Sequence, residues 1–205
     1  ILITRRSERD TIADVQAMLT ELGFDAGTAD GIIGSNTRSA IDAYKRWKGL
    51  STKGAALTAE MLSALYASSG RAEPPTGQLM IRQGFQEVLS EPIGLANPTV
   101  ALGTHFLSIT AINRDAGQAD WEGFSLKNQL SEATRKRLGI TSDAVEGPDA
   151  LTAALDRIHV PQDLRERIDA MISTGTSLTI SDTGIGPETT KGTDFITVTH
   201  RPPRG

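Results

Sequence analysis

The residues that could do chemistry in this chain are few. It has three histidines and no cysteine. Without a thiol there is no thiolate nucleophile, no thiolate metal ligand and no disulfide. His105, His159 and His200 stand far apart, so no His-x-x-x-His spacing offers a metal a pair of ligands from one helix face. No Gly-x-Ser-x-Gly elbow accompanies them. A hydroxyl–imidazole–carboxylate triad is defined by geometry rather than chain order. The surroundings of His105 in space therefore decide the matter: a serine hydroxyl and a carboxylate converging there in a cleft would open serine chemistry to this chain, and an apolar surround would not. His105 reads as a strand residue with a satisfied hydrogen bond, and His159, just before Pro161, as a helix-end residue. Asp182, Glu188 and Asp194 bracket a glycine-rich loop running from Asp182 to Gly192. They could make an acid pair, but turn formation and solvation are the expected roles. Gly184-Ile185-Gly186 is not followed by Gly-Lys-Ser/Thr, so it is no phosphate cradle. The sequence assigns no catalytic residue, no cofactor and no metal.

The elements that would position these groups fall into two kinds. Ser7 to Asp10 supplies cap oxygens, and Ile12, Val15, Leu19 and Leu22 follow at helical spacing, with Gly23 placed to stop the helix. A turn-rich stretch from Asp25 to Gly34 comes next. Within it, Gly31 and Gly34 permit positive φ, and Asp30 can accept from nearby amides. A second helix is expected from Ser35 or Asn36, either able to cap it, with Ala40, Ile41, Tyr44 and Trp47 on its apolar face. A third starts at Thr58 and buries Met61, Leu62 and Leu65. Residues 67–76 are small and polar with Pro74-Pro75, and read as a linker.

Beyond it, residues 78–90 read as two short strands around a turn at Gln83-Gly84, residues 92–98 as strand and loop, and residues 104–112 as a strand. Helices are expected over 126–138, 148–157 and 161–172, the last tolerating Pro161 at its start. Residues 178–181 and 195–199 are β-branched runs. The expected fold class is α+β: a small three-helix N-terminal module in 1–66, a linker, and a mixed strand and helix domain in 77–205.

The chain has 205 residues, 38% hydrophobic and 22% charged, ordinary for a globular protein. Its net charge of −4 gives no bulk attraction for nucleic acid or anionic lipid. The basic clusters Arg5-Arg6, Lys45-Arg46-Lys48 and Arg135-Lys136-Arg137 are expected to be solvated faces. No apolar run reaches the ~20 residues of a membrane span. Ile1 opens without a leader-like stretch and both ends read as trimmed, so the missing export signal is only weak evidence against export.

Asp30-Gly31-Ile32-Ile33-Gly34 with Thr37, Ala40, Ile41 and Tyr44, preceded by Val15-Gln16, Leu19 and Gly23-Phe24 and followed by the Leu57-Thr58 helix, closely resembles the peptidoglycan-binding domain of bacterial amidases, transpeptidases and murein hydrolases. The resemblance covers residues 9–66. It implies non-covalent retention of the cell-wall polymer, in a periplasmic or otherwise extracytoplasmic compartment. The ligand-binding set it implies is Asp30, Gly31, Gly34, Asn36, Thr37, Arg38, Tyr44 and Trp47. Within that set Asp30, Gly31 and Gly34 are expected to shape the loop, Tyr44 to sit in the core and Trp47 to be the surface aromatic.

Gly77 to Phe85 through Asn97 to Phe106, with Asn97-Pro98 and Leu102-Gly103-Thr104-His105-Phe106, resembles the front half of an L,D-transpeptidase domain, and Ile168 to Asp182, with Ser173 to Ile180, resembles its closing strand. That family attacks a stem-peptide carbonyl through a cysteine in a Ser-His-Gly-Cys-x-Arg motif, and the whole motif is missing here. The resemblance therefore implies a degenerate, non-catalytic relative. The leading expectation is a non-catalytic bacterial cell-envelope protein that binds peptidoglycan and/or scaffolds or regulates a cell-wall enzyme, with another envelope protein as a further partner. The alternatives are a murein-processing enzyme with a non-cysteine site and the targeting tail of a longer enzyme.

Overall fold

Leu2-Ile3-Thr4-Arg5 is too short and too uniformly buried to show strand alternation, yet it is central to the fold (β1, Leu2–Arg5). The computed structural model describes residues 1–127, 130–186 and 188–196. Two compact units result: residues 1–5 with 75–205, and residues 6–74. The chain enters the first unit, leaves it at Arg5 for the helical unit, and returns at residue 75. The sequence-based boundary, which placed residues 1–66 together, is corrected at Ile1–Arg5. A four-residue strand covered on both faces has no period to read.

The helical unit contains α1 (Glu8–Glu21), α2 (Ser35–Trp47) and α3 (Ala59–Ser68). Ser7 caps α1 in a reciprocal box with Asp10, and the Thr58 hydroxyl accepts from Met61 N–H to cap α3. Neither Ser35 nor Asn36 caps α2. Gly34 holds that position with no side-chain bond, and Ser35 is already helical. The core joins Val15, Met18, Leu19, Ala26, Ala40, Ile41, Tyr44, Met61, Leu65 and Tyr66. The expected linker is shortened at both ends: α3 runs to Ser68, and Thr76 exchanges side-chain bonds with the Leu95 backbone.

The other unit is strand-rich, so the chain as a whole is α+β. Its strands are β1, β2 (Gly77–Gln83), β3 (Gln86–Leu95), β4 (Thr104–Asn113), β5 (Gln118–Leu126), β6 (Ile158–His159) and β7 (Ser177–Ser181). Among the described residues they form one sheet in the order β5-β4-β7-β1-β2-β3-β6. It is mixed, because β1 runs parallel to β7 and antiparallel to β2. The expected hairpin at residues 83–84 is present, with Gly84 and Phe85 both at positive φ.

Three expectations change here. Residues 118–126, read as no strand, are β5, hairpin partner of β4. The helix expected over 126–138 contracts to α4 (Glu132–Leu138), capped by Ser131, because Leu126 still belongs to the sheet; residues 128 and 129 lie outside the described residues. His159 is a strand residue of β6 paired with Gly94, set between α5 (Ala150–Leu155) and α6 (Gln162–Met171), and not a helix end. The run 195–199 lies partly, and His200 wholly, outside the described residues.

The core of this unit joins Ile3, Leu79, Ile81, Leu89, Ile93, Leu95, Leu102, Leu107, Leu164, Leu178 and Ile180. At its edge, charge holds the connection between β3 and β4 in place. Arg5 Nε donates to Asp182 Oδ1 at 2.6 Å, and its other nitrogens donate to the Pro98 and Val100 carbonyls. Asp182 also accepts from Leu102 N–H at 2.9 Å and Gly103 N–H at 3.0 Å. Asp182 is 2% exposed, so its expected role as a solvated loop residue is corrected. A carboxylate with this many donors, facing a buried guanidinium, is stable without water. Arg157 adds bonds to the Ala96, Asn97, Val100 and Ala101 carbonyls. Burial, and next the Arg5 charge, lower the Arg157 guanidinium from its ordinary value. Of the basic clusters expected to be solvated, Arg5 is thus interior. So is Lys45, whose ammonium donates to the Ala55 carbonyl at 2.8 Å.

Candidate functional site

The loop between α1 and α2 is organised around one buried amide, Gln16, on the inner face of α1. Its Oε1 accepts from Gly31 N–H at 2.9 Å. Its Nε2 lies 3.1 Å from Asp30 Oδ1, 3.0 Å from the Ile32 carbonyl and 3.0 Å from Thr37 Oγ1. Thr37 in turn donates to the Ala26 carbonyl at 2.9 Å. Asp30 Oδ1 also accepts from Ile32 N–H at 2.9 Å, and that bond, followed by the one from Gln16, holds the exposed Asp30 carboxyl below its usual range. Gly31 has φ +75° and packs against Arg9, whose Nε donates to the Asp30 carbonyl. Gln16 is the residue whose role sequence reading missed. Its signal was a lone amide among the buried positions of α1, four residues before Thr20 and one after Val15.

Replacing Gln16 with Ala is expected to lower the stability of the helical unit by about 2 kcal/mol. The Gly31 N–H would then be left buried without a partner. A urea midpoint unchanged from the wild type would contradict this account.

The eight expected ligand-binding residues do not converge. Gly31, Thr37 and Tyr44 are interior and can offer a ligand no side chain. Tyr44 is fully buried, its hydroxyl 2.9 Å from Ser68 Oγ. Asp30 spends its carboxylate on the loop. Gly34, Asn36, Arg38 and Trp47 are exposed. Helical geometry sorts these further. At about 100° per residue, Trp47 returns to within about 20° of Asn36, while Arg38 faces about 180° away from Trp47. Asn36 and Trp47 therefore end a single track along one flank of α2, about 16 Å long. Small residues, Ser39 and Ala43, lie between them. Arg38 belongs to the opposite flank.

Trp47 is 60% exposed but not loose. Its ring packs 6.0 Å from that of Phe24 and 5.8 Å from that of Tyr44, and the Lys48 ammonium sits 4.1 Å from its centroid. Phe24 and Tyr44 meet edge to face at 5.8 Å. The indole is thus packed by Phe24 and Tyr44, carries the Lys48 ammonium over its ring, and still exposes apolar surface to solvent.

In the strand-rich unit the residues near His105 do assemble. The imidazole is buried between the Leu102 carbonyl, 2.9 Å from Nε2, and Ser125 Oγ, 2.7 Å from Nδ1. Glu188 and Asp194 are exposed and Asp182 is committed to Arg5, so the acid pair considered for that loop has lost Asp182 to structure. Among the described residues no group of three or more metal-ligating side chains gathers.

The helical module thus combines a braced loop with one exposed, packed aromatic. Residues 8–65, nearly all of that module, match the family model of a putative peptidoglycan binding domain. The match supports cell-wall binding with peptidoglycan as partner, and an envelope or extracytoplasmic location. Comparison with curated proteins and with solved structures returns no match for the chain. The family match ends before the strand-rich unit begins its second strand. No helix among the described residues is long and apolar enough to cross a membrane.

Proposed function

We propose that this is a cell-envelope protein held on peptidoglycan by the α2 flank that runs from Asn36 to Trp47. Residues 1–5 with 75–205, on this reading, are a degenerate L,D-transpeptidase-like domain that scaffolds or regulates a cell-wall enzyme. The observation that carries the binding claim is Trp47, exposed yet fixed by Phe24 and Tyr44 within a segment that matches a peptidoglycan-binding family. The lack of any cysteine takes thiol attack away from the second half. Retention on the wall does not need turnover.

Purified sacculi provide the test. The wild-type protein should pellet with them, and Trp47→Ala should weaken retention about tenfold, which corresponds to about 1.4 kcal/mol and the loss of one stacked aromatic. Arg38→Ala, on the far flank, should pellet like the wild type. A wild-type protein left in the supernatant, or a Trp47→Ala variant retained as well as its parent, would refute the assignment.

A further inference from the structure

The pair formed by His105 and Ser125 is more than a satisfied core histidine. The two residues lie directly opposite each other on β4 and β5. A carbonyl oxygen can only accept, so the 2.9 Å contact with the Leu102 carbonyl places the ring proton on Nε2. In the neutral ring that leaves the Nδ1 lone pair facing Ser125 Oγ at 2.7 Å. The tautomer is therefore the one a general base for Ser125 requires.

The ring is held as well as polarised. Gly103 has φ +93°, and a Cβ there would stand 2.7 Å from His105 Nε2. Only glycine lets the backbone lie flat against the imidazole. The Leu102 and Gly103 N–H groups are gripped by Asp182, itself fixed by Arg5. His105 is 2% exposed, whereas Ser125 is exposed. The hydroxyl is thus the part of the pair a substrate can reach. It opens into a cleft of about 340 Å³ whose wall sets Ala144, Val145 and Ala150 beside the charged Lys127, Asp143 and Glu146. The apolar part of that wall has room for a short acyl chain only, and the volume is at the small end of ligand sites.

We propose that His105 and Ser125 form a hydroxyl-based acyl-transfer site that hydrolyses short-chain carboxylic esters. Ser125 Oγ attacks the acyl carbon while its proton passes to His105 Nδ1. The bond to the alkoxy oxygen breaks, and the Nδ1 proton leaves with it as alcohol. Water then attacks the acyl-Ser125 ester, giving its proton to Nδ1. The carbon–Oγ bond breaks, and Oγ takes that proton back. The sum is ester plus water giving acid plus alcohol. Nε2–H stays on the Leu102 carbonyl throughout. The site is independent of wall binding, since ester turnover is read in solution without sacculi.

The experiment uses the full chain with p-nitrophenyl acetate and, separately, a fluorophosphonate probe followed by peptide mass mapping. Two results are expected together: a single phosphonate adduct on Ser125, and acetate-ester hydrolysis that falls at least a hundredfold in Ser125→Ala. The circular dichroism of that variant should match the parent, because Ser125 is exposed on an edge strand, while its melting temperature should fall only by the loss of the one bond to His105 Nδ1. A purely structural bond would leave hydrolysis alone. No adduct at Ser125, adducts spread over other serines, or hydrolysis equal in parent and Ser125→Ala would each overturn the proposal.

Discussion

Replacing Gly31 with Ala is expected to unfold the helical unit or bring it close to unfolding. The backbone there has φ +75°, which an L side chain adopts only at a cost of about 1 kcal/mol or more. Space is the larger obstacle. The new Cβ would lie 2.5 Å from the Arg9 carbonyl oxygen and would also overlap the Arg9 side chain. Arg9 is in the first turn of α1, so relief means moving either the start of that helix or the loop. Moving the loop breaks the Gly31 N–H bond to Gln16, and with it the hub that also orders Asp30, Ile32 and Thr37. Strain, overlap and an orphaned amide together come to about 4 kcal/mol, a large share of what a unit of this size holds. Amide exchange over residues 6–74 should accelerate by about a thousandfold, and retention by sacculi should vanish with it. The strand-rich unit should keep its exchange protection. A well-protected Gly31→Ala helical unit would show that the loop is not built as described.

The second large effect is expected at Asp182. Asp182→Ala should destabilise the strand-rich unit by about 3–5 kcal/mol, the usual penalty for removing one partner of a buried pair. Arg5 and Asp182 have side chains 6% and 1% exposed, so water cannot replace the lost carboxylate without opening the structure. The Leu102 and Gly103 N–H groups lose their acceptor in the same step. Calorimetry should show the melting transition of this unit lowered by at least 10 °C. A double variant, Arg5→Met with Asp182→Leu, should recover part of the loss, since it removes both buried charges together. If Asp182→Ala melts like the wild type, the pair is not the clamp on residues 96–103 that its geometry describes.

The helical unit was largely legible because its information is local. Cap residues, helical periods and the glycine-bent loop are all read within a few positions, and Ser7, Thr58 and Gly31 do what their types suggest. The binding set was only half legible. Type and spacing could nominate Asn36, Arg38 and Trp47, but the flank each occupies follows from the phase of α2 about its core. That phase sets Arg38 opposite Trp47. Asp182 misled for a related reason. A carboxylate next to Thr183-Gly184 looks like a turn former until Arg5, 177 positions away in sequence, is brought against it.

By itself, the sequence determined the chemistry that was available: no thiol, no histidine-based metal spacing, a glycine-bent loop between capped helices, and an aromatic at the end of α2. Only the tertiary structure decided that Leu2–Arg5 completes a sheet whose other strands begin at residue 77, and that Ser125 lies against His105. The physical reason is the same in both cases. Strand pairing and side-chain hydrogen bonds depend on which segments the buried core brings together, and that choice is made by packing over the whole unit, not by any run of neighbouring residues.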